Sequence, residues 1–382
     1  GEAKALHGLA LAMVNRRRYD QALTKARAAL SLFRELGARK LEASELISIA
    51  QWHLASQQPK QSLMPAEQAL RIFQDLQYGK DWQAKALFVW CEALVADKQA
   101  KRAMKVAKEH QSQFAEAQDL RGQAVVQEII ARAHLALEAP EKALNSLDEA
   151  RRFAQELGDS SWDARLCQGT AASFVASSDT QEAIEALEKG VDIAIRAGNN
   201  QERAKGHRAI FRIRFDSQDY SAALAAAKDA RSVSSSSQDR RGEAGDCLQI
   251  AAALANLQDI TKALAAVAEA QELSQDTGDA RGEARALCML ADLRRLEGKL
   301  DAALEAAEER LTILRELGDL KLEAAALEQL GGLHLDDGNF AEAEQVAQQG
   351  RQLCKEAAER RGMVTTSILL VQIYASWSKD PE

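Results

Sequence analysis

The sequence predicts an all-α solenoid, a fold in which helical hairpins of similar length stack one after another along the chain. Its four prolines and 5% aromatic residues suit a 382-residue protein built almost wholly from helices. Small residues recur every forty residues, and a second series follows each of them nineteen residues later. The first series is Ala3, Ala43, Ala84, Ala124, Ala164, Ala204, Ala244, Ala284 and Ala324, with one extra residue near Tyr78–Gly79. The second series is Ala22, Ser62, Ala103, Ala143, Ala183, Ala223, Ala263, Ala303 and Ala343.

Each repeat is predicted to be a helical hairpin. In its first helix a large apolar residue such as Leu330 precedes a small one such as Gly331, so a neighbouring helix can approach closely. The register predicts about nine hairpins and a lone helix over about 361–378. One hairpin cannot bury its own apolar face, so it depends on its neighbours. We therefore expect residues 1–382 to form a single repeat array. Because Gly1–Glu2–Ala3 matches Gly282–Glu283–Ala284 inside a later repeat, we expect this array to be excised from a longer chain.

The breaks between helices carry the residues that turns need. Glycines fall at the junctions between repeats, where a left-handed helix end favours a residue without Cβ. Aspartates at the equivalent position, most of them directly after such a glycine, are predicted to cap the next helix or to lie in its first turn. The glycines are Gly37, Gly158, Gly198, Gly278 and Gly318, and the aspartates are Asp159, Asp239, Asp279 and Asp319.

These residues carry a family resemblance. The small residues Gly331, Ala343 and Gly350, with a turn glycine at Gly338, resemble the close-contact positions of tetratricopeptide repeats. The unit is forty residues long rather than the usual thirty-four. In that length and in its Gly-Asp junction it resembles the extended repeats of LGN/Pins-type and kinesin-light-chain-type adaptors. The resemblance implies a right-handed superhelix whose inner groove is lined by the first helix of each hairpin.

The inward positions of that groove are the second, fifth and ninth residues of the first helix, counted from the small residue. In the fifth and sixth repeats they carry a run of basic and amide side chains with no acid. An arginine precedes this run and another follows it. Because arginine can bind a carboxylate through two hydrogen bonds, we expect an acidic peptide or a C-terminal carboxylate to bind here. The run is Arg165, Gln168, Lys205, Arg208 and Arg212, flanked by Arg132 and Arg285.

Nearer the start of the chain, the inward positions are apolar. They are Leu11, Ile47 and Phe88, which would supply hydrophobic anchors to an extended or helical ligand. Phe88 could equally be core between repeats. The arginines have an alternative too, because Glu92, Glu128, Asp292 and Glu328 occupy inward positions in other repeats and could pair with them. Both interpretations remain open at this stage.

Composition narrows the classes of function. A formal net charge of −8 does not favour binding to nucleic acid or to an anionic membrane, and no run of eighteen apolar residues is present. Five scattered cysteines with no C-x-x-C pair suggest reduced, buried thiols in the cytoplasm. No phosphate-binding loop, metal-ligand spacing or catalytic motif is found, so we expect no cofactor and no enzyme activity. Gly245, Ala252 and Gly332 at inward positions also argue against a code of RNA-reading side chains.

Two functions remain. The first is a non-catalytic scaffold or adaptor that binds a protein or peptide in its inner groove. That groove would suit acidic segments. The alternative is a structural spacer or assembly subunit that binds through convex or end surfaces. The last helix is apolar all round, with Ile368, Leu369, Val371, Tyr374 and Trp377. Either it covers the last hairpin incompletely and self-associates, or more chain follows it in the native protein, which is the alternative that we favour.

Overall fold

The computed structural model describes residues 1–15, 18–77, 79–357 and 359–378. All regular structure in this part of the chain is helical, in agreement with the all-α prediction. The helices are α1 Glu2–Asn15, α2 Tyr19–Glu35, α3 Arg39–Ala55, α4 Pro59–Asp75, α5 Lys80–Ala96, α6 Ala100–Glu116, α7 Leu120–Ala136, α8 Pro140–Glu156, α9 Ser160–Ala176, α10 Thr180–Arg196, α11 Asn200–Asp216, α12 Tyr220–Ser236, α13 Arg240–Asn256, α14 Ile260–Asp276, α15 Ala280–Leu296, α16 Leu300–Leu317, α17 Leu320–Asp336, α18 Phe340–Glu356 and α19 Arg360–Trp377.

The described residues form two compact units. The N-terminal unit ends at Gly206 and the C-terminal unit begins at His207, so the boundary falls inside α11. Within each unit an odd-numbered helix packs against the even-numbered helix that follows it, as in α7 with α8 and α17 with α18. Even-numbered helices also pack against the next odd-numbered helix, as in α8 with α9 and α16 with α17. This is the stacking of hairpins that the repeat predicts, and the fold class is an α-solenoid.

Both series of small residues lie at the contacts between helices. From Ala22 to Ala343 every member of the second series is fully buried, and Ala3 to Ala324 in the first series are buried as well. Glycines at other contacts are equally tight, since a Cβ added to Gly206 would lie 2.5 Å from Val191 Cγ2. Small residues therefore fix how closely the helices approach. Val364, at the register position of Ala324, is instead 59% exposed, because no described helix follows α19.

The turns repeat with the helices. The five predicted junction glycines all have positive φ angles, between 60° and 68°. Glutamines take the same conformation at other turns, as at Gln218 and Gln258, where φ is 61°. Most described turns are closed by backbone hydrogen bonds of the kind that Asp239 N donates to Ser234 O at 2.9 Å. The predicted caps are confirmed too: Asp159, Asp239, Asp279 and Asp319 each accept a bond from a first-turn N–H. Tyr78, near the extra residue, lies outside the described residues.

No helix among the described residues combines the length and the apolar character that crossing a lipid bilayer requires.

Candidate interaction face

In each unit, the second, fifth and ninth positions of the odd-numbered helices, counted from the small residue, define a surface that we call the A-face of that unit. In the N-terminal unit its first members differ in accessibility. Leu11 is 46% exposed, but Ile47 is only 1% exposed and belongs to the core. The prediction that Ile47 forms part of a binding groove is therefore wrong, because the neighbouring helices cover its side chain. Phe88 is half-buried, and the Arg132 guanidinium carbon lies 4.9 Å from its ring centroid.

Glu128 organises the middle of the A-face in this unit. Its buried carboxylate accepts hydrogen bonds from Arg132 Nη2 at 3.0 Å and from Arg165 Nη2 at 3.3 Å. Trp162 Nε1 donates a third bond at 2.9 Å, and Arg132 also reaches Glu92 at 3.3 Å. Both arginines thus pair within the protein, as the alternative interpretation expected. Their side chains nevertheless stay 42% and 47% exposed, so part of each guanidinium faces solvent.

Gln168 and Lys205 share a second buried carboxylate. Gln168 Nε2 donates to Glu202 Oε2 at 2.9 Å, and Lys205 Nζ donates to Glu202 Oε1 at 2.8 Å. Sequence reasoning treated these two residues as part of a run without acids. Glu202 lies two positions before the small residue Ala204, outside the positions counted as inward. The local charge of this part of the A-face is therefore lower than the sequence suggests.

Arg208, in the C-terminal unit, is held by a carboxylate that sequence reasoning missed. Its Nε donates to Asp246 Oδ1 at 2.6 Å and its Nη2 to Asp246 Oδ2 at 2.9 Å. Ser234 Oγ donates a further bond to the fully buried Asp246. This hydrogen-bonded partner raises the pKa of Arg208 above its ordinary value. A signal existed, because Asp246 stands two residues after Ala244, where most repeats carry an apolar or small residue.

The same geometry recurs at the start of the chain. His7 Nδ1 lies 2.6 Å from Glu45 Oε2, and these two residues occupy the register positions of Arg208 and Asp246. Burial raises the pKa of the Glu45 carboxyl, although the neighbouring His7 opposes that effect. In both cases a pair forms across the contact between two helices. It joins a basic residue at the fifth position of one repeat to an acidic residue at the third position of the next, both counted from the small residue.

Two of the predicted arginines are not paired in this way. Arg212 and Arg285 are both exposed, and neither has a hydrogen-bond or ion-pair partner among the residues that the structure describes. Both belong to the C-terminal unit. Of the predicted basic residues, these two have guanidinium groups that a ligand could bind without displacing a protein carboxylate.

The A-face of the C-terminal unit also contains an open groove. Its volume is about 1,020 Å³, and it runs across α15, α17 and α19. Most of the A-face positions of these helices line it, including Asp292, Glu328, Gly332 and Ile368. Asp292 accepts a bond from Gln329 Nε2 at 2.7 Å, and no described cation lies within ion-pair distance of it. The groove is therefore mixed in character, with apolar, acidic, basic and amide groups along its length.

A smaller cavity adjoins this groove. Its volume is about 210 Å³, and residues of α13, α15, α16 and α17 line it, Arg285 and the even-helix residue Arg310 among them. Cys288, Asp292 and Arg310 line both the cavity and the groove. Sequence reasoning missed Arg310, because it considered only the first helix of each hairpin.

The described residues contain no group of three histidine, cysteine or acidic side chains arranged to hold a metal ion. All five cysteines are free. Burial raises the pKa of every one of these thiols, to about 12 for Cys91 and Cys247. They are therefore protonated at neutral pH and poorly suited to act as nucleophiles or metal ligands.

The similarity of this chain to known proteins shows its fold and nothing further. No family model and no curated protein matches the sequence. Among solved structures, the apo form of RapI is similar with a TM-score of 0.56 and 10% identity over 88% of this chain and 98% of that one. A signal transduction ATPase with numerous domains and a tetratricopeptide repeat sensor, from Pyrococcus horikoshii, has a TM-score of 0.59 and 13% identity over 93% of this chain. This chain spans only 55% of that protein.

Aspartyl phosphate phosphatase F from Bacillus subtilis is also similar, with a TM-score of 0.51 and 12% identity over 87% of this chain and 93% of that one. All three identities are too low to carry an activity or a partner from one protein to another. What they share with this chain is the arrangement of helical hairpins. In fold, the chain is therefore a tetratricopeptide-repeat-like α-solenoid.

Proposed function

We propose that this chain is a non-catalytic scaffold or adaptor that binds an extended or helical segment of a partner protein along its A-face. The observation that carries the proposal is the groove of about 1,020 Å³ across α15, α17 and α19. Its lining comes from equivalent positions of successive repeats, so its contacts recur at regular intervals. A repeating surface of this kind suits a segment with regularly spaced side chains.

An acidic part of the segment is expected at Arg212 and Arg285, which lie on the A-face of the C-terminal unit but do not line the groove. Arg212 and Arg285 are exposed without carboxylate partners among the described residues, so they keep their full charge for a ligand. Arg132, Arg165 and Lys205 contribute less, because each already shares its charge with a buried carboxylate. On the A-face of the N-terminal unit, Gln168 and Phe88 would offer a ligand an amide donor and an apolar contact. The acid-binding part of the A-face is thus centred on the C-terminal unit.

The proposal is tested with a display library of random decapeptides sorted on the full chain. We expect the enriched peptides to be acidic and to bind the chain in a salt-sensitive manner. The blocking variant is Gly245→Glu with Gly332→Glu, because a Cβ at either glycine would meet open space. It places a large acidic side chain on the A-face of two helices without a steric clash in the core.

The matched control is Ala225→Glu with Ala265→Glu. These alanines are exposed on the even-numbered helices α12 and α14, so the change in net charge is the same. Peptides that bind the control and lose binding to the blocking variant support the A-face. A library that yields no enriched peptide, or peptides that bind both variants equally, would overturn the proposal.

One observation favours the alternative function, a spacer or assembly subunit. Helix α19 exposes Val364, Ile368, Val371, Tyr374 and Trp377 in the described structure. Exposed apolar side chains in such a row are typical of an interaction surface. Sedimentation of the full chain and of Val371→Glu distinguishes the two functions. Stable self-association that Val371→Glu abolishes, together with a failed peptide selection, would favour the assembly function.

A further inference from the structure

Arg310 is a buried charge without a counter-ion. It lies on α16, is only 8% exposed, and donates one hydrogen bond, from Nη1 to Gln329 Oε1 at 2.6 Å. No described carboxylate lies within ion-pair distance of it. Arg151 is equally buried on α8, but its Nε donates to Asp163 Oδ1 at 2.7 Å. Burying an arginine next to a neutral amide alone costs stability, so the position calls for another explanation.

The repeat register makes Arg310 more unusual. It follows Ala303 by seven residues, a position at which the even-numbered helices contact their neighbours. An arginine is the largest side chain found at this position. The corresponding residues are Ala29, Ala69, His110, Ala150, Gly190, Ala230, Ala270 and Gly350.

The guanidinium is held in a fixed position by Gln329. The Gln329 amide nitrogen donates to Cys288 O at 2.9 Å and to Asp292 Oδ1 at 2.7 Å. Those two bonds direct its oxygen towards Arg310. The other N–H groups of Arg310 have no acceptor among the described residues, and the side chain lines both the cavity of about 210 Å³ and the adjoining groove. The arrangement leaves donors of a largely buried cation available to a ligand.

The cavity has the charge and shape to use those donors. Arg285 also lines it, exposed and without a described partner, and Leu248, Met289 and Leu314 supply apolar walls. Its one lining carboxylate, Asp292, is bonded to Gln329. Small-molecule pockets are typically about 300–1,000 Å³, so a cavity of about 210 Å³ suits one side chain with part of its neighbour.

We infer that this cavity is the anchor point of the partner segment: it binds one acidic side chain, next to an apolar residue that rests on the leucine and methionine walls. Arg310 binds the carboxylate from the floor and Arg285 from the rim. A planar guanidinium matches a carboxylate through two parallel hydrogen bonds, and the bound acid supplies the counter-charge that Arg310 lacks. The inference rests on the proposed binding function and specifies where and through which group the partner is recognised.

The test uses the full chain and two labelled, C-terminally amidated peptides. One carries a glutamate between two leucines, and the other carries glutamine in its place. We expect the glutamate peptide to bind roughly ten- to a hundredfold more tightly, the effect of a hydrogen bond to a charged group. We expect Arg310→Met to remove that preference and Arg285→Ser to reduce it. Arg351→Met, at an exposed arginine of α18, is the matched control and keeps the preference.

Thermal unfolding separates recognition from a purely structural role. If Arg310 serves a ligand, Arg310→Met leaves the melting temperature unchanged or raises it, because a buried charge with only an amide partner is removed. A lower melting temperature with an unchanged glutamate preference would overturn the inference. Equal binding of the glutamate and glutamine peptides, or no binding of either, would also overturn it. The proposed function would survive those results if the display library still yielded peptides that bind the wild type and lose binding to the Gly245→Glu, Gly332→Glu variant.

A free carboxylic acid is the other source of the same chemistry. Sodium butyrate is therefore added as a competitor of the glutamate peptide. We expect it to compete only at concentrations at least about a hundredfold higher than the peptide, because it lacks the apolar neighbours. Competition at equal concentrations would overturn the assignment to a protein partner and would indicate a small-acid site.

Discussion

Arg208 and Asp246 are 38 residues apart in the chain and form a two-bond ion pair, with Nε 2.6 Å from Oδ1 and Nη2 2.9 Å from Oδ2. Asp246 is fully buried, whereas the Arg208 side chain is 29% exposed. The pair joins the fifth position of α11 to the third position of α13. An arginine selected from the sequence as a ligand-binding group therefore neutralises an acid inside the protein.

Arg208→Gln is expected to destabilise the protein by about 3 kcal/mol, because the buried Asp246 carboxylate would lose its counter-ion. Arg212→Gln, four residues later on the same helix, is the matched control. Arg212 is exposed and has no described partner, so its loss should change stability by less than about 0.5 kcal/mol. Urea unfolding followed by circular dichroism measures both variants. Equal stabilities of the two variants would contradict the role given to the ion pair.

Stability is expected to fall as the pH drops below about 6.5, and His53 contributes to that fall. Burial lowers the pKa of His53, and its Nδ1 lies 3.0 Å from Gln58 Oε1. An imidazole with a lowered pKa in the folded state is protonated first in the unfolded state, so acid favours unfolding. Melting temperatures of the wild type and of His53→Phe at pH 7.5, 6.5 and 5.5 check this. The variant should lose less stability over that range, and an equal loss in both proteins would exclude His53.

Gly332→Ala is expected to stabilise the protein by about 0.5–1 kcal/mol. Gly332 lies inside α17, and a Cβ there would meet no atom within 4 Å. Gly190→Ala should have the opposite effect, because its Cβ would lie 2.9 Å from Cys167 Cβ and 3.1 Å from the Ala164 carbonyl oxygen. The two variants receive the same methyl group in a helix interior. Urea unfolding measures the stability of both variants. A shift of both unfolding midpoints in the same direction would contradict the helix contacts described above.

The native thiols are expected to react slowly with a disulfide reagent. Burial raises the pKa of Cys91 from 9.0 to about 12, which leaves about a thousandfold less thiolate at neutral pH. Cys288 is the least buried of the five and lines a cavity, so it should be the first to react. Cys288→Ser should remove that first phase, and urea should make the remaining thiols reactive. Fast reaction of several thiols in the native protein would be inconsistent with this structure.

The turns and the small residues at the helix contacts are the features that the sequence predicts best. Ala143, Ala183 and Ala223 recur with the spacing of the repeat, and all three are buried. Close approach of two helices requires a small residue, and a small residue can be recognised directly in the sequence. Gly158 and Gly198 likewise show the need for a positive φ angle. Burial of Ile47 was harder to predict, because the register marks the inward side of a helix but not how far the next repeat covers it.

By itself, then, the sequence determined the helices, their pairing into hairpins and the order of the repeats, because these follow from periodic signals within forty residues. Only the tertiary structure decided which charges are available to a ligand. Arg208 finds Asp246, Arg132 and Arg165 find Glu128, and Arg310 finds only an amide. Those outcomes depend on the register between helices that are distant in the chain, and side-chain charge alone does not carry that information.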